Sequence, residues 1–265
     1  MGKHQGLLFG LATLQLVVLA TFYFTHDWLP PLKSDREGID SALGATLAVT
    51  GAVFILTNLL LAYFSWRYQD RPGAQAGYWH DDPRLEWTWT LVTAGIMAIF
   101  LFGGLNLWAK VQQAPPPGAF MVEVTGQQFR WVVRYPGPDG IFGRTDAKLA
   151  SADNERAYIG LDPKDPNGTD DIVLLNHVYL PQGRPVAVRL RSTDVIHSFF
   201  LPNFRVKQDA MPGMMIVTTF TPKASGDFEL ACAELCGLGH YKMRGEVHVV
   251  PPADLEAAVR KAAAE

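Results

Sequence analysis

The sequence predicts a membrane anchor of two to three transmembrane α-helices followed by an all-β Greek-key sandwich. Three observations support that fold class. Gly6–Phe24, Ser41–Trp66 and Trp87–Ala109 are three uncharged, mainly apolar runs, each near the roughly 20 residues that a membrane-spanning helix needs. From Phe120 onward, apolar and polar residues alternate at period two, the pattern of half-buried strands. Gly and Pro cut that half into short segments, as a sandwich of many strands requires. The mean hydropathy of +0.06 averages these two unlike halves.

Residues 1–30 form the first element, an apolar helix that is either an extra transmembrane segment or a signal peptide. Lys3 supplies only a weak positive flank, and Thr21-Phe-Tyr-Phe-Thr-His-Asp-Trp28 lacks a small-x-small cleavage pattern. An uncleaved helix is therefore favoured. Residues 31–112 follow as a transmembrane hairpin. Its short inner loop Arg67–Glu86 carries Arg67, Arg71 and Arg84, which places that loop in the cytoplasm by the positive-inside rule. Trp66, Trp87 and Trp108 stand near helix ends, where amphipathic rings anchor at lipid headgroups. The chain is expected to be a multi-pass protein of the cell (inner) membrane, in contact with lipid, with its C-terminal half on the outer or periplasmic side. A formal charge of −3 gives no reason to expect nucleic acid.

The outer domain spans residues 118–252. Phe129, Trp131, Val133 and Tyr135 alternate with Arg130, Val132 and Arg134, and Val186, Val188 and Leu190 alternate with Ala187, Arg189 and Arg191. Met215–Phe220, Asp227–Ala231 and Glu246–Val250 give further short strands. An insertion at 136–171 is rich in Gly, Asp and Pro and favours turns. Its acids Asp162, Asp165, Asp170 and Asp171, with Asn167, do not fit EF-hand spacing, so a solvated loop is favoured over a calcium site. Residues 253–265 are a short Ala-rich tail without a Cys-x-x-Cys-His haem attachment sequence. His177 and His248 have no motif around them.

Chemistry is concentrated in Cys232-Ala-Glu234-Leu-Cys236-Gly-Leu-Gly-His240-Tyr-Lys-Met243, which contains both cysteines of the chain. Soft sulfur beside imidazole selects copper, zinc or iron–sulfur centres over hard cations. Two cysteines four apart can bridge a pair of copper ions. A disulfide and a zinc site are the alternatives. Zinc has no use for a thioether, so copper is favoured. His197, in Thr193-Asp194-Val-Ile-His197-Ser198, is a further candidate ligand.

The Asp-x-x-His-Ser block and the Cys-x-Glu-x-Cys-x-x-x-His-x-x-Met block thirty-five residues later together resemble subunit II of haem–copper cytochrome c oxidases. The resemblance implies a cupredoxin-like domain whose metal loop joins the last two strands, with His197 on a neighbouring loop. It also implies dinuclear copper (copper A). Cys232 and Cys236 would bridge both ions, His197 and Met243 would complete one, and His240 with the Glu234 carbonyl the other. The Glu234 side chain would face a magnesium shared with subunit I. Gly126-Gln-Gln-Phe129-Arg-Trp131 matches the aromatic strand through which electrons arrive, with Phe129 where a tryptophan is usual and Trp131 as the second aromatic. Asp209 would lie at the subunit I interface, and Glu86 would admit protons from the cytoplasm.

The implied activity is electron transfer from a cytochrome c, soluble or membrane-tethered, to haem in subunit I, where oxygen becomes water and protons are pumped. No catalytic residue is expected in this chain. The partners would be subunit I, with its haem and copper B, and other oxidase subunits. From Gly118 onward there are eighteen acids and sixteen bases, a net of −2, so electrostatic steering of the donor is expected to be weak. The two cysteines argue against a quinol oxidase subunit. The pair of anchoring helices and the lack of a separate catalytic domain argue against nitrous oxide reductase, and the distant His197 argues against a mobile copper carrier.

Overall fold

A computed structural model describes residues 3–25, 29–75 and 77–264. The chain forms two compact units, one of residues 1–28 and 38–108, the other of 29–37 and 109–265. In the first unit, helices α1 (Lys3–Thr25), α2 (Glu37–Arg67) and α3 (Pro83–Val111) coincide with the three apolar runs. Among the described residues, α2 and α3 are each long and apolar enough to cross a membrane. Asp82 starts α3 by accepting hydrogen bonds from the backbone N–H groups of Arg84 and Leu85 at 3.0 and 3.2 Å, the usual role of an N-cap carboxylate. Residues 26–28, at the end of the first run, lie outside the described residues.

The second unit is a sandwich of two five-stranded sheets. Its strands are β1 (Phe120–Gln127), β2 (Arg130–Tyr135), β3 (Ile172–Leu175), β4 (His177–Pro181) and β5 (Val186–Ser192). They continue with β6 (His197–Leu201), β7 (Val206–Ala210), β8 (Ile216–Phe220), β9 (Gly226–Cys232) and β10 (Arg244–Val250). One sheet has the order β3-β2-β1-β5-β8 and the other β4-β10-β9-β6-β7. Two pairings, β1 with β5 and β10 with β4, are parallel, so the sandwich is mixed rather than wholly antiparallel.

Period-two alternation directs one face of each strand inward. Val122, Val124, Trp131, Val133, Val188, Leu190, Phe199, Leu230 and Val247 meet in one core. Burying each large apolar side chain contributes about 1.5–3 kcal/mol. Asn176 alone separates β3 from β4, in the left-handed region at φ 62°, which asparagine tolerates better than most residues. Its N–H donates to the Trp131 carbonyl and its own carbonyl accepts from Glu246, so a single residue carries the chain from one sheet to the other.

The insertion at 136–171 is built of turns, 3₁₀ segments and the one-turn helix α4 (Glu155–Tyr158). It covers the outward face of β1, where Glu123 is 1% exposed. Arg134 donates to Glu123 at 2.7 Å, to Asp171 at 3.1 Å and to the Gly143 carbonyl at 2.7 Å. Arg191 also reaches Glu123, at 3.3 Å. The insertion's acids serve the fold: Asp162 pairs with Arg144, Asp165 accepts from the Arg144 N–H, and Asp171 accepts from the Gly143 N–H.

Two boundaries differ from expectation. Residues 29–37 pack on the β domain rather than forming part of the hairpin. Ser34 donates to the Phe204 carbonyl at 2.7 Å, Arg36 to the Thr219 carbonyl at 2.6 Å, and Lys223 pairs with Glu37. The tail also joins the domain, because α5 (Leu255–Ala262) buries Leu255 and Val259 in the main core.

Candidate metal centre

Three strand ends bring the donors together. Strand β9 ends at Cys232, β10 begins at Arg244, and the Cys232 N–H donates to the Met243 carbonyl at 3.1 Å, closing the base of the intervening loop. Strand β6 pairs with β9, placing Phe199 opposite Cys232. His197 is the first residue of β6, not part of a loop, and is fully buried.

Glycines make room for this convergence. A Cβ on Gly126 would come within 2.7 Å of the His197 ring, and one on Gly239 within 2.5 Å of the Phe129 ring. Gly237 sits at φ +130° under the same Phe129 ring, in a region that other residues rarely adopt.

The two Sγ atoms are 3.9 Å apart and both thiols are free, whereas a disulfide needs about 2.05 Å. Cys236 Sγ lies 3.6 Å from His240 Nδ1 and 3.7 Å from Met243 Sδ. Cys232 Sγ lies 3.9 Å from His197 Nδ1 and 3.2 Å from the Glu234 carbonyl. All six expected donors therefore converge, and His197, Cys232 and Cys236 form a compact ligand group.

The electrostatics set the two thiols apart. Asp194 Oδ1 accepts from His197 Nε2 at 2.8 Å, so Nδ1 is the ring nitrogen turned toward Cys232. A carboxylate behind a ligating imidazole fixes both tautomer and ring orientation. Burial raises Asp194, but hydrogen bonds from the Gln128 N–H, His197 and the Val195 N–H outweigh it and hold the carboxyl below its usual range. Burial lowers His197, while its hydrogen bonds to Cys232 and Asp194 more than restore it. Burial likewise raises the Cys232 thiol, yet hydrogen bonding, His197 foremost, brings it to about 6. Burial and then the neighbouring Cys232 push Cys236 up to about 11.

A family model described as "Cytochrome C oxidase subunit II, periplasmic domain" matches residues 120–250. The alternative cytochrome c oxidase subunit 2 of Bradyrhizobium diazoefficiens is 39% identical over 236 residues, covering 88% of this chain and 83% of that protein. The chain belongs to the cytochrome c oxidase subunit II family. Cytochrome c oxidase subunit 2 of Cereibacter sphaeroides is 32% identical over 221 residues, covering 78% of this chain and 70% of the relative. A crystal structure of the periplasmic domain of subunit II of cytochrome oxidase from Bradyrhizobium japonicum aligns at 30% identity with a TM-score of 0.41, over 56% of this chain and 96% of that one. The protein is thus a subunit II: a component of a respiratory oxidoreductase complex, a membrane-anchored chain with an outer cupredoxin-like domain.

Within this subunit II the other expected residues are dispersed. Trp131 is 0% exposed and meets His197 edge-on, with ring centroids 6.0 Å apart. A docked donor cannot touch it, because the sandwich closes over the inward face of β2. Phe129 is half-buried against the metal loop and retains open surface. The Glu234 side chain is exposed on that loop. Asp209, opposite Ser198 in the β6–β7 register, pairs with Lys207 at 3.6 Å. Glu86 is exposed in the first turn of α3.

Sequence reasoning missed two participants. Gln128 donates its N–H to Asp194 at 2.7 Å and its Nε2 to the Cys236 carbonyl at 2.6 Å, linking the two ligand blocks. Its place in Gly-Gln-Gln-Phe was the available signal. An apolar rim surrounds the loop, with Leu235, Leu238 and Tyr241 79, 97 and 78% exposed. Such large exposed side chains mark contact surfaces when they cluster.

Proposed function

We propose that this subunit II receives electrons from a cytochrome c and hands them to haem in subunit I, in an oxidase that reduces oxygen to water and pumps protons. The donor set carries the reading: the two thiols face each other at 3.9 Å, and four further donors surround the pair. Cys232 and Cys236 would hold two coppers jointly, with His197 and Met243 on one ion and His240 and the Glu234 carbonyl on the other. The bound pair supplies one-electron transfer with little rearrangement.

The chain's own residues create the conditions for that chemistry. His197, Cys236 and Met243 are 0, 3 and 1% exposed, so water is excluded from this side of the donor set. Asp194 holds the His197 ring in orientation, and Gln128 ties Asp194 to the cysteine loop. Glu234 presents its exposed carboxylate for a magnesium shared with subunit I, beside an interface that includes Asp209. The half-buried Phe129 and the Leu235–Leu238–Tyr241 rim form the face where the donor, soluble or membrane-tethered, docks, while Trp131 lies behind His197. Glu86 admits protons from the cytoplasmic side.

Residues 29–37 pack with the outer domain, so the α1–α2 connection shares its side of the membrane. That arrangement supports a multi-pass topology in the inner membrane, with the Arg67–Glu86 loop in the cytoplasm.

Copper analysis and electron paramagnetic resonance of the purified chain test this proposal. Two coppers per chain with one unpaired electron shared equally between them support it. A single copper with an unshared electron, or a full copper load in Cys236→Ser, refutes it.

A further inference from the structure

Three adjacent strands of the β4-β10-β9-β6-β7 sheet, the sheet that also carries Cys232 and His197, place a second group of metal-type donors on its outer face, away from the thiols. His177 on β4 stands beside Glu246 in the parallel β4–β10 register, and Asp227 on β9 stands opposite His248. Asp227 precedes Cys232 by five residues along β9, about 16 Å at the usual strand rise. The group is therefore distinct from the cysteine centre.

Its geometry is that of a built site. His177 Nδ1 and His248 Nε2 are 3.0 Å apart. Glu246 Oε2 is 3.9 Å from the first nitrogen and 3.7 Å from the second. Asp227 Oδ1 lies 2.7 Å from His248 Nδ1. Because that carboxylate only accepts, Nδ1 carries the proton and Nε2 presents a lone pair toward His177. This is the arrangement in which a carboxylate orients a metal-ligating imidazole. The His248 ring stacks on Tyr179, its neighbour across the β4–β10 pairing, with centroids 4.5 Å apart, which restrains the ring.

We propose that His177 Nδ1, His248 Nε2 and Glu246 Oε2 bind one divalent transition ion of the zinc type, with water in the fourth position. Without metal, the His177 Nδ1–H satisfies the His248 lone pair; when the ion takes the place of that proton, the ring regains one from solvent at Nε2, so both ligating imidazoles stay neutral. Zinc–nitrogen bonds of about 2.05 Å at tetrahedral angles set ligand atoms about 3.3 Å apart. The three observed separations, 3.0, 3.7 and 3.9 Å, bracket that value, so small side-chain rotations complete the shell. The donors are two imidazoles and a carboxylate with no sulfur, a set that suits zinc. His177 is 48% exposed, which leaves a path for the ion.

The test uses the full chain in detergent with copper already bound, titrated with zinc against a competing indicator, and reads the zinc X-ray absorption edge. One zinc per chain in a nitrogen/oxygen shell is expected. Binding should be lost in His177→Ala and weakened about tenfold in Asp227→Asn. Both substitutions alter exposed side chains, so the fold is retained. Unchanged zinc binding in His177→Ala, a zinc shell containing sulfur, or no uptake by the wild-type chain would overturn the proposal. Because copper content is measured in the same sample, failure of this site is distinguishable from failure of the cysteine centre.

Discussion

Asp194 Oδ1 lies 2.8 Å from His197 Nε2, and this contact hands the opposite ring nitrogen to Cys232. The aspartate touches no other donor of the centre, yet it decides which nitrogen faces the sulfur. Asp194→Asn keeps the size but can present an amide N–H to the ring, which favours the wrong tautomer. Copper affinity should fall about 10–100-fold while the melting temperature changes little. Copper retention on dialysis, compared with thermal unfolding of the same sample, checks this. Full copper retention in the variant would show that Asp194 does not orient the ligand.

The two thiols should titrate far apart in the metal-free chain. Cys232 should lose its proton at about 6 despite its burial, helped by its hydrogen bond from His197, and Cys236 only at about 11, held up by burial and the neighbouring thiolate. Thiolate absorbance against pH should show one thiolate at neutrality and the second only in strong alkali. Cys232 lies below its ordinary value, so its thiolate stabilises the fold fully above about 9, and this contribution disappears as pH falls through about 6. His197 is raised, so its contribution is complete below about 6.5 and fades as pH rises through the folded value. Two thiols titrating together near 9 would contradict the arrangement.

Glu123 is 1% exposed and accepts from Arg134 at 2.7 Å and Arg191 at 3.3 Å. Removing one partner from a buried charge network costs about 3–5 kcal/mol because the remaining charges lose their counter-ion. Glu123→Ala should therefore lower the melting temperature of the outer domain by at least ten degrees or so. The insertion should loosen first, seen as faster proteolysis within 136–171. A melting temperature equal to wild type would assign the network no structural weight.

Leu238 is 97% exposed at the rim of the metal loop, so Leu238→Asp should leave stability and copper content unchanged. If the donor docks there through apolar contact, KM for the native cytochrome should rise about tenfold, equivalent to about 1.4 kcal/mol. Phe129→Ala should slow electron uptake as well. With a net charge of −2 on the outer half, the rate should depend only shallowly on ionic strength. A steep decline with salt would transfer the recognition to charge pairs.

Particular residues show where sequence reasoning runs out. The six donors that converge were named through the family resemblance of two sequence blocks, and the apolar runs marked all three helices. Strands β3 and β4 were not legible, because one left-handed Asn176 joins them across two sheets. Strand β6 was not either: His197–Leu201 is buried on both faces except at Phe200, so it has no alternation to read. His177 and His248 are 71 positions apart, and no local pattern links them.

Chemistry carried by neighbouring residues along the chain was therefore determined by the sequence alone: sulfur and imidazole donors on one loop, apolar runs of spanning length, and alternating strands. Only tertiary structure decided relations between distant segments. It buried Trp131 behind His197, set Gln128 between Asp194 and the Cys236 carbonyl, drew residues 29–37 onto the β domain, and stacked His177 beside His248. The reason is physical: side-chain period specifies which face of a strand turns inward, whereas neighbours across a sheet depend on pairing and register.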